Sequence, residues 1–125
     1  MKADLQVHDQ VARLTVVGEL DAFTAPQVRD QLVEALEQQA RWVIVDLRQT
    51  DFIDSFFLTI LMGAGKRAGG KCGDIIVVCD ASHLLQIFDR SGTTELLNVV
   101  PTVEDAEQLL HDWRASDQKP EEGQS

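Results

Sequence analysis

The chain has 125 residues, 44% of them hydrophobic and 26% charged, enough for one domain around one core and too short for two. Its 11 Lys and Arg stand against 21 Asp and Glu, a formal net charge of -10. That balance repels a phosphate backbone and no basic stripe interleaved with aromatics offsets it, so nucleic acid is not an expected partner. No apolar run approaches the roughly 18–20 residues of a membrane helix, and Met1-Lys2-Ala3-Asp4 leads into a polar segment rather than a signal-peptide core. The expectation is a soluble, cytoplasmic protein without a membrane partner.

Leu5-Gln6-Val7 and Leu14-Thr15-Val16-Val17 alternate as strands do, with the polar His8-Asp9-Gln10 between them as a hairpin and Gly18 ending the second strand. Thr24-Ala25-Pro26-Gln27 has the form of a capping box, with proline in the first turn where its missing N–H costs nothing. Val28, Leu32, Ala35 and Leu36 then make one apolar stripe on a helix. From Trp42 to Leu47 the chain is aliphatic without alternation, the pattern of a strand covered on both faces, and therefore a central one. A helix from about Ser55 to Ala68 follows and Gly69-Gly70 ends it; Ile75-Ile76-Val77-Val78 repeats the buried-strand pattern.

Ser82 to about Arg90 reads as a third helix with Gly92 as a left-handed terminator, and Leu97-Asn98-Val99-Val100 as a short strand. Thr102-Val103-Glu104-Asp105 opens a last helix, with Val103, Ala106, Leu110 and Trp113 on one side. The order β-β-α-β-α-β-α-β-α predicts an α/β fold: a mixed, mostly parallel sheet packed against helices. The domain is expected over residues 1–114. Residues 115–125, polar and containing Pro120 and Gly123, are expected as a disordered tail.

Cys72 and Cys79 are six residues apart and match neither a redox pair nor a zinc half-site, and His8, His83 and His111 show no ligand spacing; no metal or cofactor is expected. Asp46, Asp51 and Asp54 raise the question of a magnesium site as in phospho-aspartate receivers. The acidic pair and the lysine that such a site needs are missing from the corresponding strand ends. No phosphate loop, nucleophile elbow or acid/base pair is visible, so the chain is not expected to be an enzyme. Ser55 stands at a helix start, where it reads either as a cap or as a place for a phosphate beside outward-pointing N–H groups. Phe56 and Phe57 lie about 100° apart on the helix, so one of them faces outward. Leu58, Leu61, Met62 and Gly65 form the expected buried side and Phe56 shares a face with Thr59.

Four segments together resemble the STAS domain, and specifically the bacterial anti-sigma factor antagonists. They are Gly18-Glu19-Leu20-Asp21 with Thr24-Ala25-Pro26; Val45-Asp46-Leu47 with Phe52-Ile53-Asp54-Ser55; Ile87-Phe88 through Ser91-Gly92; and Pro101-Thr102-Val103-Glu104-Asp105-Ala106. The resemblance implies a partner switch. The unphosphorylated protein binds an anti-sigma factor that is also a serine kinase, phosphorylation releases it, and a serine phosphatase restores binding, which regulates sigma-factor-dependent transcription. Carried onto this chain, the phosphoacceptor is Ser55, and the partner-binding residues are Glu19, Leu20, Asp21, Asp54, Ser55, Phe56 and Thr59 in a monomer or weak dimer.

Many antagonists follow the aspartate with Ser-Ser-Gly or Ser-Thr-Gly where this chain has Ser55-Phe56-Phe57. That departure is similar to the STAS scaffold proteins of stress-sensing complexes, which stand as the alternative reading. A STAS subunit of a transporter is a more distant one.

Overall fold

A computed structural model describes residues 2–20 and 22–117. Its elements are β1 (Lys2–His8), β2 (Val11–Glu19), α1 (Ala25–Gln38), β3 (Trp42–Phe52), α2 (Ser55–Gly69), β4 (Asp74–Val78), α3 (Ser82–Ser91), β5 (Val99–Val100) and α4 (Val103–Asp117). The strands lie in one sheet in sequence order. β1 pairs antiparallel with β2, and every later pair is parallel. The expected order of elements and the central position of β3 are both present.

The aliphatic run in β3 is explained by its two covered faces. Val43, Val45 and Leu47 point into the larger core beneath α1 and α2, whereas Trp42 and Ile44 point into a smaller one beneath α4. In that smaller core Ala106 and Leu110 of α4 meet Ile76 and Val78, and Trp113 stacks on Trp42 with ring centroids 5.9 Å apart. Polar clasps hold α4 to the hairpin: Arg13 donates from Nε and Nη2 to the Glu107 carboxylate at 2.8 and 2.7 Å, and Arg114 donates to Asp9 at 2.8 Å. The first clasp raises the Arg13 pKa and holds the Glu107 carboxyl below the usual carboxylate range.

The hairpin closes in two residues, Asp9 (φ 55°) and Gln10 (φ 68°), both left-handed as the twist of a two-residue turn demands. The Gln10 carbonyl accepts from the N–H groups of Arg41 and Trp42, tying the turn to the start of β3. At the far end of α1, Lys71 Nζ donates to the carbonyls of Leu36 and Ala40, satisfying acceptors that a helix terminus leaves open. Gly73 is required beside them, because a Cβ there would overlap the Arg41 carbonyl.

Several expectations are corrected. Gly18 does not end β2 but sits in it at φ 99°, at a register shift, and the strand runs on to Glu19. β3 continues past Leu47 to Phe52 because β2 goes on pairing with it. Thr24 precedes α1 with helical backbone angles and no side-chain cap bond; its hydroxyl reaches back to the Glu19 carbonyl, so no capping box forms. Leu97 and Asn98 belong to a turn rather than to β5, with Asn98 at φ 51° and its amide donating to the Ile75 carbonyl. On α2 the buried side is Phe57, Leu58, Ile60, Leu61, Ala64 and Ala68; Met62, expected inside, is exposed, and Gly65 is half-buried. Helix α4 continues through Asp117, three residues into the stretch expected as a tail, whose remaining positions 118–125 lie outside the described residues.

Candidate functional site

In a parallel sheet the loops at the carboxyl ends of the strands gather at one edge, where binding sites of open α/β folds are found. Here the gathering is explicit. Glu19 is in register with Phe52, and the Leu20 N–H donates to the Phe52 carbonyl at 2.8 Å, so the turn after β2 lies against the loop after β3. From the other side His83, in the first turn of α3, places Nε2 2.8 Å from the Asp51 carbonyl; a carbonyl can only accept, so this nitrogen carries the proton.

Between these supports the chain makes a sharp passage from strand to helix. Ile53 is buried and anchors the loop. Asp54 has extended backbone angles (φ -113°, ψ 179°), and its Oδ1 accepts from the Phe57 N–H at 3.0 Å. Asp54 is therefore the cap of α2. Ser55, read from sequence as a possible cap, is instead the first helical residue. It is exposed, and its hydroxyl makes no hydrogen bond among the described residues. Thr59, one turn on and also exposed, donates to the Ser55 carbonyl at 3.1 Å. The Ser55 oxygen is thus presented to solvent beside the positive end of a 15-residue helix with no structural bond to lose.

The other expected partner-binding residues divide. Glu19 is exposed beside Phe52, and Phe56 is the outward member of its pair at 38% exposure, with Phe57 fully buried. Leu20 is 0% exposed: its side chain belongs to the core, and only its backbone shapes the site, a correction to its expected docking role. Asp21 lies outside the described residues. Sequence reading missed Phe52, 46% exposed at the end of β3, and Phe23, 88% exposed on the turn that follows Leu20. Apolar residues so exposed around one loop are the usual mark of a docking surface.

The carboxylates of this region do not converge on a metal. Asp46 accepts from Arg48 through both oxygens and from its backbone N–H, while Asp54 is engaged as the cap. Among the described residues no three His, Cys, Asp or Glu side chains approach closely enough to hold an ion. Both cysteines are free; Cys79 is buried, which pushes its thiol up.

Known proteins share this fold. The chain is 28% identical over 101 residues to an anti-sigma F factor antagonist of Paenibacillus polymyxa, covering 79% of this chain and 86% of that one. Its fold matches the crystal structure of an anti-sigma factor antagonist from Mycobacterium paratuberculosis with a TM-score of 0.79 at 24% identity, over 88% of this chain and 93% of that one. It also matches the Bacillus cell fate determinant SpoIIAA in its phosphorylated form, with a TM-score of 0.69 at 21% identity, over 86% and 97% of the two chains. The STAS domain pattern itself spans residues 2–106, nearly the whole of the described chain, and the protein belongs to the STAS domain family.

Proposed function

We propose that this protein is an anti-sigma factor antagonist controlled at Ser55. Unphosphorylated, it binds an anti-sigma factor serine kinase through the face formed by Glu19, Phe52, Ser55, Phe56 and Thr59. Phosphorylation of Ser55 releases the kinase, and a serine phosphatase restores the bound form. The observation that carries this reading is the free hydroxyl of Ser55 at the first position of α2, exposed and spared from capping by Asp54.

A phosphate there adds about -1.5 to -2 charges. It meets the open N–H groups of the first turn, an interaction of about 0.3–1 kcal/mol, and is opposed by the nearby carboxylates of Asp54, Asp51 and Glu19. The small local balance leaves the fold intact. Docking changes far more, since a charge buried at an interface without a partner costs about 3–5 kcal/mol, or roughly two to four decades of affinity.

The reading is tested by incubating the protein with ATP and extract of its native cell, followed by peptide mass spectrometry. A single phosphate on Ser55, absent in Ser55→Ala, is the expected result. Phosphate confined to other residues would overturn the assignment.

A further inference from the structure

Helices α1 and α2 do not close fully on one another. Between them lies a cavity of about 230 Å³. Its floor is apolar, built from Leu32, Leu36, Ile60 and Ala64, all buried parts of the main core. At its rim stand two arginines, Arg29 and Arg67, and no carboxylate lines it. In a chain with 21 acidic residues against 11 basic ones, a concavity with cations only is a selective feature. Arg29 is already engaged with Asp30 at 3.3 Å. Arg67 forms no ion pair among the described residues and is available to an incoming anion.

We infer that this cavity is a binding site for a medium-chain carboxylate, its hydrocarbon chain lying on the Leu36, Ile60 and Ala64 floor and its head group held by Arg67. A half-open concavity of about 230 Å³ accommodates a short hydrocarbon chain, and octanoate, with seven carbons behind its carboxylate, is the probe of that class. The class of ligand follows from the lining: apolar walls reject a short polar anion, and the rim cations reject an amine. Affinity is modest for so few atoms, with a Kd of ~1 mM or somewhat below. Phe56 and Thr59 also line the cavity, so it adjoins the face assigned to the kinase; its test uses the protein alone, and a failure of that test leaves the kinase reading standing.

Octanoate titrated into the ¹⁵N-labelled protein and followed by NMR is expected to give saturable shifts confined to amides of α1 and α2 around Leu36 and Ala64. Arg67→Gln should weaken binding about two- to fivefold, the range of an exposed ion pair, and Arg29→Gln less. Gly63→Leu should block the site without disturbing the fold, because a Cβ at Gly63 meets nothing within 4 Å. Non-saturating or scattered shifts, unchanged binding to Gly63→Leu, or equal binding of octanol or octylamine would overturn the inference.

Discussion

Asp54 and Ser55 are neighbours of nearly equal capping ability in general, yet the structure gives them separate tasks, and paired substitutions expose the difference. Removing the Asp54 carboxylate breaks the bond to the Phe57 N–H at 3.0 Å and leaves that donor unsatisfied at the head of α2. Such a loss costs about 0.5–2 kcal/mol, typically near 1. For a domain of this size it corresponds to a fall in Tm of about 3–6 °C. Ser55→Ala removes a hydroxyl that bonds nothing and sits in solvent, so stability should stay within about 0.5 kcal/mol of the parent. Asp54→Ser, which retains a capping oxygen, should recover most of the loss. Urea and thermal unfolding followed by circular dichroism measure all three. Equal destabilisation by Asp54→Ala and Ser55→Ala would mean that the serine is the cap, and the argument that its hydroxyl is free for modification would fail.

Gln10 adopts a left-handed conformation that costs a side-chain-bearing residue about 1–2 kcal/mol. Gln10→Gly should therefore raise stability by about 0.5–1 kcal/mol after its extra unfolded-state entropy is counted, read as a higher urea midpoint at unchanged m. The Arg13–Glu107 clasp predicts a pH signature: with the Glu107 pKa lowered in the folded state, its contribution is present above the unfolded value of about 4.3 and is lost as pH falls through the folded one. Because both side chains are partly exposed, the effect should be at most about 1 kcal/mol, and a Tm-against-pH series on Glu107→Gln should lack it. Phe56→Ala should weaken kinase binding at least about tenfold, since half-exposed aromatics at a docking face act as anchors, and calorimetric titration against the parent checks it.

The order of elements was readable in the sequence because the parallel strands advertise themselves: Val43 to Leu47 and Ile75 to Val78 are apolar at every step or nearly so, as only strands covered twice can be. What was not readable depends on contacts made from a distance. Which of Asp54 and Ser55 takes the cap is decided by where β3 ends and Ile53 is buried, and adjacent capping residues look alike in sequence. Thr24 has a capping box on paper, but its backbone is already helical and its hydroxyl turns back to the Glu19 carbonyl, while Leu20 before it is buried. The same burial removes the Leu20 side chain from the face we propose for docking, whereas its neighbour Glu19 is exposed. Phe52 and Phe23 pass for core residues by type, yet Phe52 stands at the last residue of β3 and Phe23 on the turn before α1, where both are exposed. Ser55 is singled out only by the family resemblance, since an exposed hydroxyl at a helix start has no signature of its own.

The central claim is that one phosphate on Ser55 governs binding while leaving the fold alone. It is tested most directly by preparing the protein with phosphoserine at position 55 and comparing its affinity for the anti-sigma factor kinase with that of the unmodified form, alongside the Tm of each. The account predicts a loss of about 10²- to 10⁴-fold with Tm nearly unchanged. Equal affinity of the two forms, or a loss matched by unfolding, would contradict it.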